Sequence, residues 1–421
     1  MGASASLKKP MATGKEEDEG EEEEEEEEDQ EEEDPGQGSY GTRQRRRSYC
    51  TAQHQRRHQM DQTPMDSLLW STLPEHLLER VLLRLPLPSL LKFRTVCRAW
   101  RSLLCSDGFL ESYSSISPQG PWFFMFTNHD YKDGSTFNPI SNTWHHIPLP
   151  SFPVNERYIP VAAAGGLICF CASTDGQKNF AVCNLITATW RKLPPMNNNP
   201  TYLETVGMVV DKGTGLYKVV VAGNHEISVD DITTEVYESG LDTWRMTSSM
   251  PRGADPLLGT ITCNGVLYSW CCDPDGLVAY DTYKDTWSLI QTPTPDSLVS
   301  NTILESRGRI MMVGGLQEGN ITSAICVWLL NVERMEWVEV DKMPESLCQE
   351  FLGDRTYFMC VGTNDVVLLY IGGGLRDMPM LLYDLAERQW SRVPDCTLPD
   401  ERLIDGLIDG ISFEPRLDIL V

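Results

Sequence analysis

Six tryptophans recur through the C-terminal part of the chain at a near-constant interval, and this period constrains the fold more than any other feature. They stand in Thr143-Trp144, Thr189-Trp190, Thr243-Trp244, Thr286-Trp287, Glu336-Trp337 and Gln389-Trp390. The spacings are 46, 54, 43, 50 and 53 residues. Upstream of most of them an apolar run ends in small residues, as in AAAGGLICF (162–170), VVVAGN (219–224), IMMVGGL (310–316) and LLYIGGG (368–374). A Tyr-Asp or equivalent turn then precedes the tryptophan, as in AYDTYKDTW and LLYDLAERQW, and an exit such as Leu193-Pro194, Met250-Pro251 or Met343-Pro344 follows it. The fourth unit departs from the pattern and ends SLIQTPTP. Self-similarity at a fixed period marks an array in which each repeat is one supersecondary unit that buries its apolar faces against its neighbours.

One unit reads as a four-stranded antiparallel sheet, with the glycine pairs letting inner strands approach a crowded axis and the tryptophan filling the wedge between adjacent sheets. The repeats resemble the kelch-type propellers, whose period is about 50 residues. That resemblance implies six blades. The segment Gly410 to Pro415 then reads as a further strand that joins the first blade beside PWFFMF (121–126) and closes the ring, so that no sheet edge is left open.

A second feature lies just upstream. LPEHLLERVLLRLPLPSLLKFRTVCRAWRSLL, Leu73 to Leu104, is too short to bury its own leucines as an independent domain. Pro74 and Glu75 suit a helix start, and Leu77, Leu78, Val81, Leu82 and Leu85 follow at helical spacing. Pro86 and Pro88 interrupt the helix, and Ser89–Phe93 and Thr95–Leu104 supply two more helical pieces. The opening Leu-Pro, the central Leu-Pro and the closing Val-Cys-Arg-x-Trp resemble the F-box. The resemblance implies a three-helix module docking on a Skp-type adaptor, itself attached to a cullin scaffold, through Leu73, Pro74, Leu77, Leu78, Val81, Leu82, Pro88, Val96, Cys97 and Trp100. Each of these is equally a candidate for the module's own core, and the sequence leaves the division open. An F-box followed by kelch repeats is similar to the plant F-box/kelch proteins.

The fold class that follows is multidomain, α plus all-β. Residues 1–65 form a disordered tail, first acidic and then basic; residues 66–113 form the F-box; residues 114–421 form a six-bladed kelch-type β-propeller. From Glu16 to Asp34, 17 of 19 residues are acidic, so of the formal charge of −26 the remainder carries −26 + 17 = −9. Blocks of like charge repel one another and do not pack. RQRRR at Arg43–Arg47 suits nuclear import, and the chain is expected in the nucleus, the cytoplasm or both. Met1-Gly2-Ala3-Ser4-Ala5-Ser6 fits acylation at Gly2. A single acyl chain beside a glutamate run gives no stable membrane association. Nor is nucleic acid an expected partner, because the acidic block competes with phosphate for the arginines. Thirteen cysteines without a C-x-x-C pair argue for reduced thiols.

Catalysis finds little support. There are seven histidines, and no H-E-x-x-H, G-x-S-x-G or phosphate loop occurs. No metal, cofactor or catalytic residue is expected. The F-box resemblance implies a substrate-recognition subunit of a Skp–cullin–F-box ubiquitin ligase, holding a protein substrate on the propeller for ubiquitination. A non-degradative scaffold or transcriptional cofactor is the alternative. In a propeller the loops from each outermost strand to the next innermost strand share one face. On that face Arg157, Tyr158, Tyr202, Arg252 and Arg402 are the candidate substrate-binding residues.

Overall fold

The computed structural model describes residues 73–115, 120–127, 134–147, 149, 151–153, 156–225, 231–353, 355–371, 379–396 and 407–421. The tail over residues 1–65, with Gly2 and Arg43–Arg47, lies outside the described residues, as do Arg402 and the Gly372-Gly373-Gly374 run.

The leucine-rich stretch folds into the three helical pieces its prolines delimit. Helix α1 (Glu75–Leu82) begins after Pro74 with Glu75 in its first turn, where a carboxylate meets the positive end of the helix dipole. Helix α2 (Leu87–Phe93) follows Pro86 and carries Pro88 in its first turn, where the missing N–H has no intrahelical partner to lose. Helix α3 (Arg98–Leu104) starts later than the sequence suggests, because Cys97 caps it, its sulfur accepting from the Trp100 N–H at 3.5 Å. A fourth helix, α4 (Asp107–Ser114), was not anticipated; Ser106 caps it by accepting from the Phe109 N–H at 3.3 Å. Ser112 Oγ of α4 donates to Glu79 Oε1 of α1 at 3.1 Å.

The remaining strands form six four-stranded antiparallel blades in a ring, those of blades 5 and 6 joined into one eight-stranded sheet by a parallel pairing of Glu305 with Thr363. Blade 1 is built from the two ends of the domain: Leu407–Phe413 lies innermost, followed by Trp122–Thr127, Gly134–Asn138 and Thr143–His146. The register pairs Phe123 with Ser412 and Met125 with Gly410, so the last strand closes the ring beside 121–126, as expected. A Cβ on Gly410 would lie 2.2 Å from the Met125 sulfur and 3.1 Å from the Phe124 carbonyl oxygen; only glycine fits this pairing. Blades 2 to 6 begin on the innermost strands Ile159–Ala164, Tyr202–Val210, Pro256–Cys263, Leu298–Ser306 and Met359–Thr363.

One expectation is corrected. The glycine pairs do not lie on innermost strands. Gly314-Gly315 and Gly223 belong to second strands, Arg309–Glu318 and Tyr217–Asn224, and Gly165-Gly166 form the turn between the first two strands of blade 2, with φ of +52° and +92°. The reason is local crowding: a Cβ on Gly314 would lie 2.7 Å from a Leu298 methyl carbon of the innermost strand.

The tryptophans all sit on outermost strands and share one hairpin geometry. The residue two before each, Asn142, Ala188, Asp242, Asp285, Met335 or Arg388, has a φ between +50° and +56°. Four residues earlier an Asn or Asp oxygen caps the turn in most blades, as where Asp281 Oδ1 accepts from the Tyr283 N–H at 3.0 Å and Asn184 Oδ1 from the Ile186 N–H at 3.0 Å. The indoles also tie blades together. Trp244 Nε1 donates to the Pro194 carbonyl and Trp144 Nε1 to the Pro394 carbonyl, each at 2.7 Å. Both acceptors are exit prolines of the preceding blade, and the second bond spans the junction of blades 6 and 1.

Two indoles, Trp337 and Trp390, have buried N–H groups without a partner among the described residues, and the exits explain both. Blade 4 ends SLIQTPTP and lacks the usual exit proline. Blade 5 exits through Pro344, whose carbonyl already accepts from Leu347 N–H (3.0 Å) and Cys348 N–H (2.9 Å) at the start of helix α5 (Glu345–Leu352). Trp244→Phe therefore removes a formed inter-blade hydrogen bond, whereas Trp390→Phe removes an unpaired buried donor. In urea unfolding Trp244→Phe is expected to cost about 1 kcal/mol more than Trp390→Phe; equal losses would refute the exit-proline account.

Candidate functional site

The helical module and the propeller share one hydrophobic core. Leu82, Leu87, Leu90 and Leu104 of α1 to α3 and Phe109 of α4 are almost wholly buried, in a cluster that continues into Trp122, Phe124 and Phe126 of blade 1 and Ile168 and Phe170 of blade 2. Full burial of one such side chain stabilises by about 1.5–3 kcal/mol. The C-terminal segment adds Leu417 to the cluster, held in place where Asn184 Nδ2 donates to the Arg416 carbonyl (3.1 Å) and the Ile419 carbonyl (2.9 Å). The Tyr113 hydroxyl of α4 is pushed up to about 12, mainly by burial and then by nearby Asp418.

This core divides the candidate docking residues. Leu82 is 0% exposed and belongs to the interior of the module, so in this conformation it presents no surface to a partner. Leu77 and Val81, one turn apart on α1, are each 40% exposed, and Val96 ahead of α3 is 61% exposed. Pro74 and Cys97 are exposed as well. Leu73, Leu78, Pro88 and Trp100 are half-buried; Trp100 meets Phe93 edge-on with ring centroids 4.9 Å apart. Pro74, Leu77, Val81 and Val96 are thus the exposed apolar members of the candidate docking set.

The propeller offers a second surface. Its innermost strands surround a central channel of about 1830 Å³. Strand order places the loops from outermost to next innermost strand, and those between second and third strands, at one mouth, here termed the upper mouth. The sequence-predicted substrate residues do not gather into one site there. Arg157 lines the channel. Tyr158 is buried, stacks on Phe152 at 4.7 Å, and donates from its hydroxyl to Glu156 Oε2 at 2.5 Å, which corrects its assignment as a recognition residue: it is a brace for the loop. Lys192, hydrogen-bonded at 2.8 Å, and then Tyr158 hold the Glu156 carboxyl below its usual range. Tyr202 is exposed, and Arg252 is exposed with only a loose pairing to Asp231 at 3.8 Å. Asn197 and Asn198, in the same group of loops, clamp the buried Glu235 carboxylate through their backbone N–H groups at 3.0 and 2.5 Å.

What sequence reading missed at this mouth is that Tyr202 belongs to a set of exposed apolar residues at the start of the inner strands, with Ile159, Leu257 and, ahead of blade 6, Tyr357. Beside them, register shifts interrupt the innermost strands near Val161, Glu204, Leu257–Gly259 and Ser300-Asn301. Such bulges re-aim side chains at the rims of sheets. Burial, then the nearby Asp255 carboxylate, pushes the Glu204 carboxyl up. The sequence signal available for these residues is positional, an apolar residue opening each inner strand where the loop preceding it ends. Among the described residues no three His, Cys, Asp or Glu side chains converge as a metal site. Burial pushes the thiols of Cys183 and Cys360 up to about 12, far from the thiolate range that a nucleophile needs.

Comparison with known proteins agrees with both parts. Residues 70–112 match the F-box domain, and residues 136–394 match the family described as F-box protein At3g26010-like, beta-propeller. The chain is 30% identical to F-box only protein 6 of Arabidopsis thaliana over 359 residues, 83% of this chain and 75% of that protein. It is 29% identical to Protein UNUSUAL FLORAL ORGANS of the same plant over 390 residues, 84% of this chain and 86% of that protein. A helical module matching the F-box, fused through one core to a six-bladed ring matching the propeller of F-box proteins, places the chain in the F-box/kelch-type β-propeller family.

Proposed function

We propose that this protein is a substrate receptor of a Skp–cullin–F-box ubiquitin ligase. F-box proteins are in general receptors of this class, and F-box domains bind Skp-type adaptors. The observation that carries the reading is the exposed apolar set Leu77, Val81 and Val96 on a module whose other leucines are buried or half-buried. Water contact with those side chains is unfavourable until a partner covers them. The shared core of the module with blades 1 and 2 gives the adaptor end and the propeller a fixed geometry. The adaptor links the chain to a cullin scaffold, and the propeller holds a protein substrate beside the charged ubiquitin carrier. Catalysis by this chain is then proximity: target lysines are held at high effective concentration near the transfer site. Proteins of this family are typically non-catalytic, and no residue of the chain is assigned a chemical step. With Arg43–Arg47 as an import signal, the complex works in the nucleus as well as the cytoplasm.

Co-purification with a Skp-type adaptor and a cullin tests the adaptor half. Leu77→Asp/Val81→Asp is expected to weaken adaptor binding on the order of 100-fold, about 2.7 kcal/mol, with the thermal unfolding midpoint little changed. Leu82→Ala is expected to do the reverse, lowering stability by about 2–5 kcal/mol while the folded fraction retains the adaptor. Loss of adaptor in neither variant would refute the docking surface. For the ligase half, a protein bound to the propeller is expected to accumulate when cullin activation is blocked; unchanged turnover would favour a non-degradative scaffold.

A further inference from the structure

The upper mouth is not uniformly polar. Its apolar rim residues Ile159, Tyr202, Leu257 and Tyr357 stand at the openings of inner strands in blades 2, 3, 4 and 6. Between blades 3 and 4 the charge is one-sided. The connections at this end of those two blades carry Asp231, Asp255, Asp273, Asp275 and Asp296, all exposed, and Glu204 lies half-buried at the adjoining bulge. Among the described residues of these connections the basic side chains are Arg252 and His225, so the sector holds six carboxylates against one guanidinium and one imidazole. On the adjoining blade 2, Arg157 and Lys178 line the opening, beside the exposed Asp175 and the Lys192-paired Glu156.

The negative sector is built by the fold and not by a run of sequence. Asp255 lies in a short ladder in which its N–H donates to the Asp273 carbonyl (3.0 Å) and its carbonyl accepts from the Cys272 N–H (2.9 Å). That ladder joins the loop entering blade 4 to the loop between its second and third strands. Asp275 Oδ2 accepts from Thr294 Oγ1 at 2.8 Å, drawing in the loop that leaves the same blade. Carboxylates held together on rigid loops repel one another, and a cation placed among them relieves that repulsion.

We propose that the upper mouth between blades 3 and 4 binds a basic, apolar-anchored protein segment, whose lysine or arginine side chains face the carboxylates while an apolar side chain covers Tyr202 and Leu257. This names the class of substrate segment and rests on the receptor reading above. Long basic side chains suit such a site, because their aliphatic stems cover apolar surface while their charged ends reach the acids. The acidic sector sets association rate and selects against acidic partners, and the apolar rim supplies the desolvated contact.

The test uses the full chain purified with a Skp-type adaptor, titrated by fluorescence anisotropy against labelled synthetic peptides. One probe alternates arginine and leucine, a second glutamate and leucine, and a third arginine and serine. The arginine–leucine peptide is expected to bind saturably, the glutamate–leucine peptide not at all, and the arginine–serine peptide about 10-fold more weakly. Glu204→Gln/Asp255→Asn is expected to weaken the first peptide about 10-fold, and Leu257→Ser several-fold, with adaptor co-purification unchanged in both. Binding that ignores both substitutions, or equal binding of the glutamate–leucine peptide, overturns the proposal. So does failure of the arginine–leucine peptide to bind a chain that still directs ubiquitination of a captured protein, and in that case the receptor reading stands. Peptide binding by a chain that brings down no adaptor would instead sink the receptor reading and leave this surface in place.

Discussion

The pairing of Leu407–Phe413 with Trp122–Thr127 is the contact on which the rest of the molecule depends. It joins residues nearly 300 positions apart, and without it blade 1 would keep three strands and leave Trp122–Thr127 as an unpaired edge. An open edge of that kind is a template for aggregation. Closure also makes every blade a neighbour of two others, so that an indole can reach the carbonyl at the preceding blade's exit. Trp144 to Pro394 reinforces the seam itself. At Gly410 the absence of a side chain lets the closing strand lie against Met125.

Ring closure in turn supplies the platform for the helical module. Blades 1 and 2 present Trp122, Phe124, Ile168 and Phe170, and the helices deliver Leu82, Leu87, Leu90, Leu104 and Phe109 to the same cluster. A module joined in this way is a part of the propeller's core and not a bead on a linker. The consequence for function is geometric. On the proposed receptor reading, a target on the ring and an adaptor on the helices would be held at a fixed separation, which is what a proximity device requires. Leu77 and Val81 stay outside the shared core and are exposed.

The upper mouth shows how one fold separates scaffold from recognition. Asn197, Asn198, Tyr158 and Glu156 look like surface chemistry in the sequence and turn out to brace loops. The exposed acids of blades 3 and 4 look unremarkable one by one and become a sector only when the ring places their loops side by side. The positions left for the proposed recognition are those that the hydrogen-bonding of the ring does not consume.

The sequence by itself determined the repeat number, the order of modules and the breaks between the first three helices, because these follow from local causes. A tryptophan hairpin every 50 or so residues, prolines that cannot continue a helix, and a glycine where two backbones meet all act within a few residues of their own position. It did not determine that the glycine pairs serve second strands, that α4 completes the helical module, or that Leu82 is core while Leu77 and Val81 are surface. Periodicity places all three of those residues on one broad apolar face, and only the packing partner decides which side of it is covered. Tertiary structure likewise decided the fate of Trp337 and Trp390: their side chains match the others, but the blade preceding each withholds the acceptor. The acidic sector belongs to the same class, since its carboxylates come from separate loops that only the packing of blades 3 and 4 brings to one end.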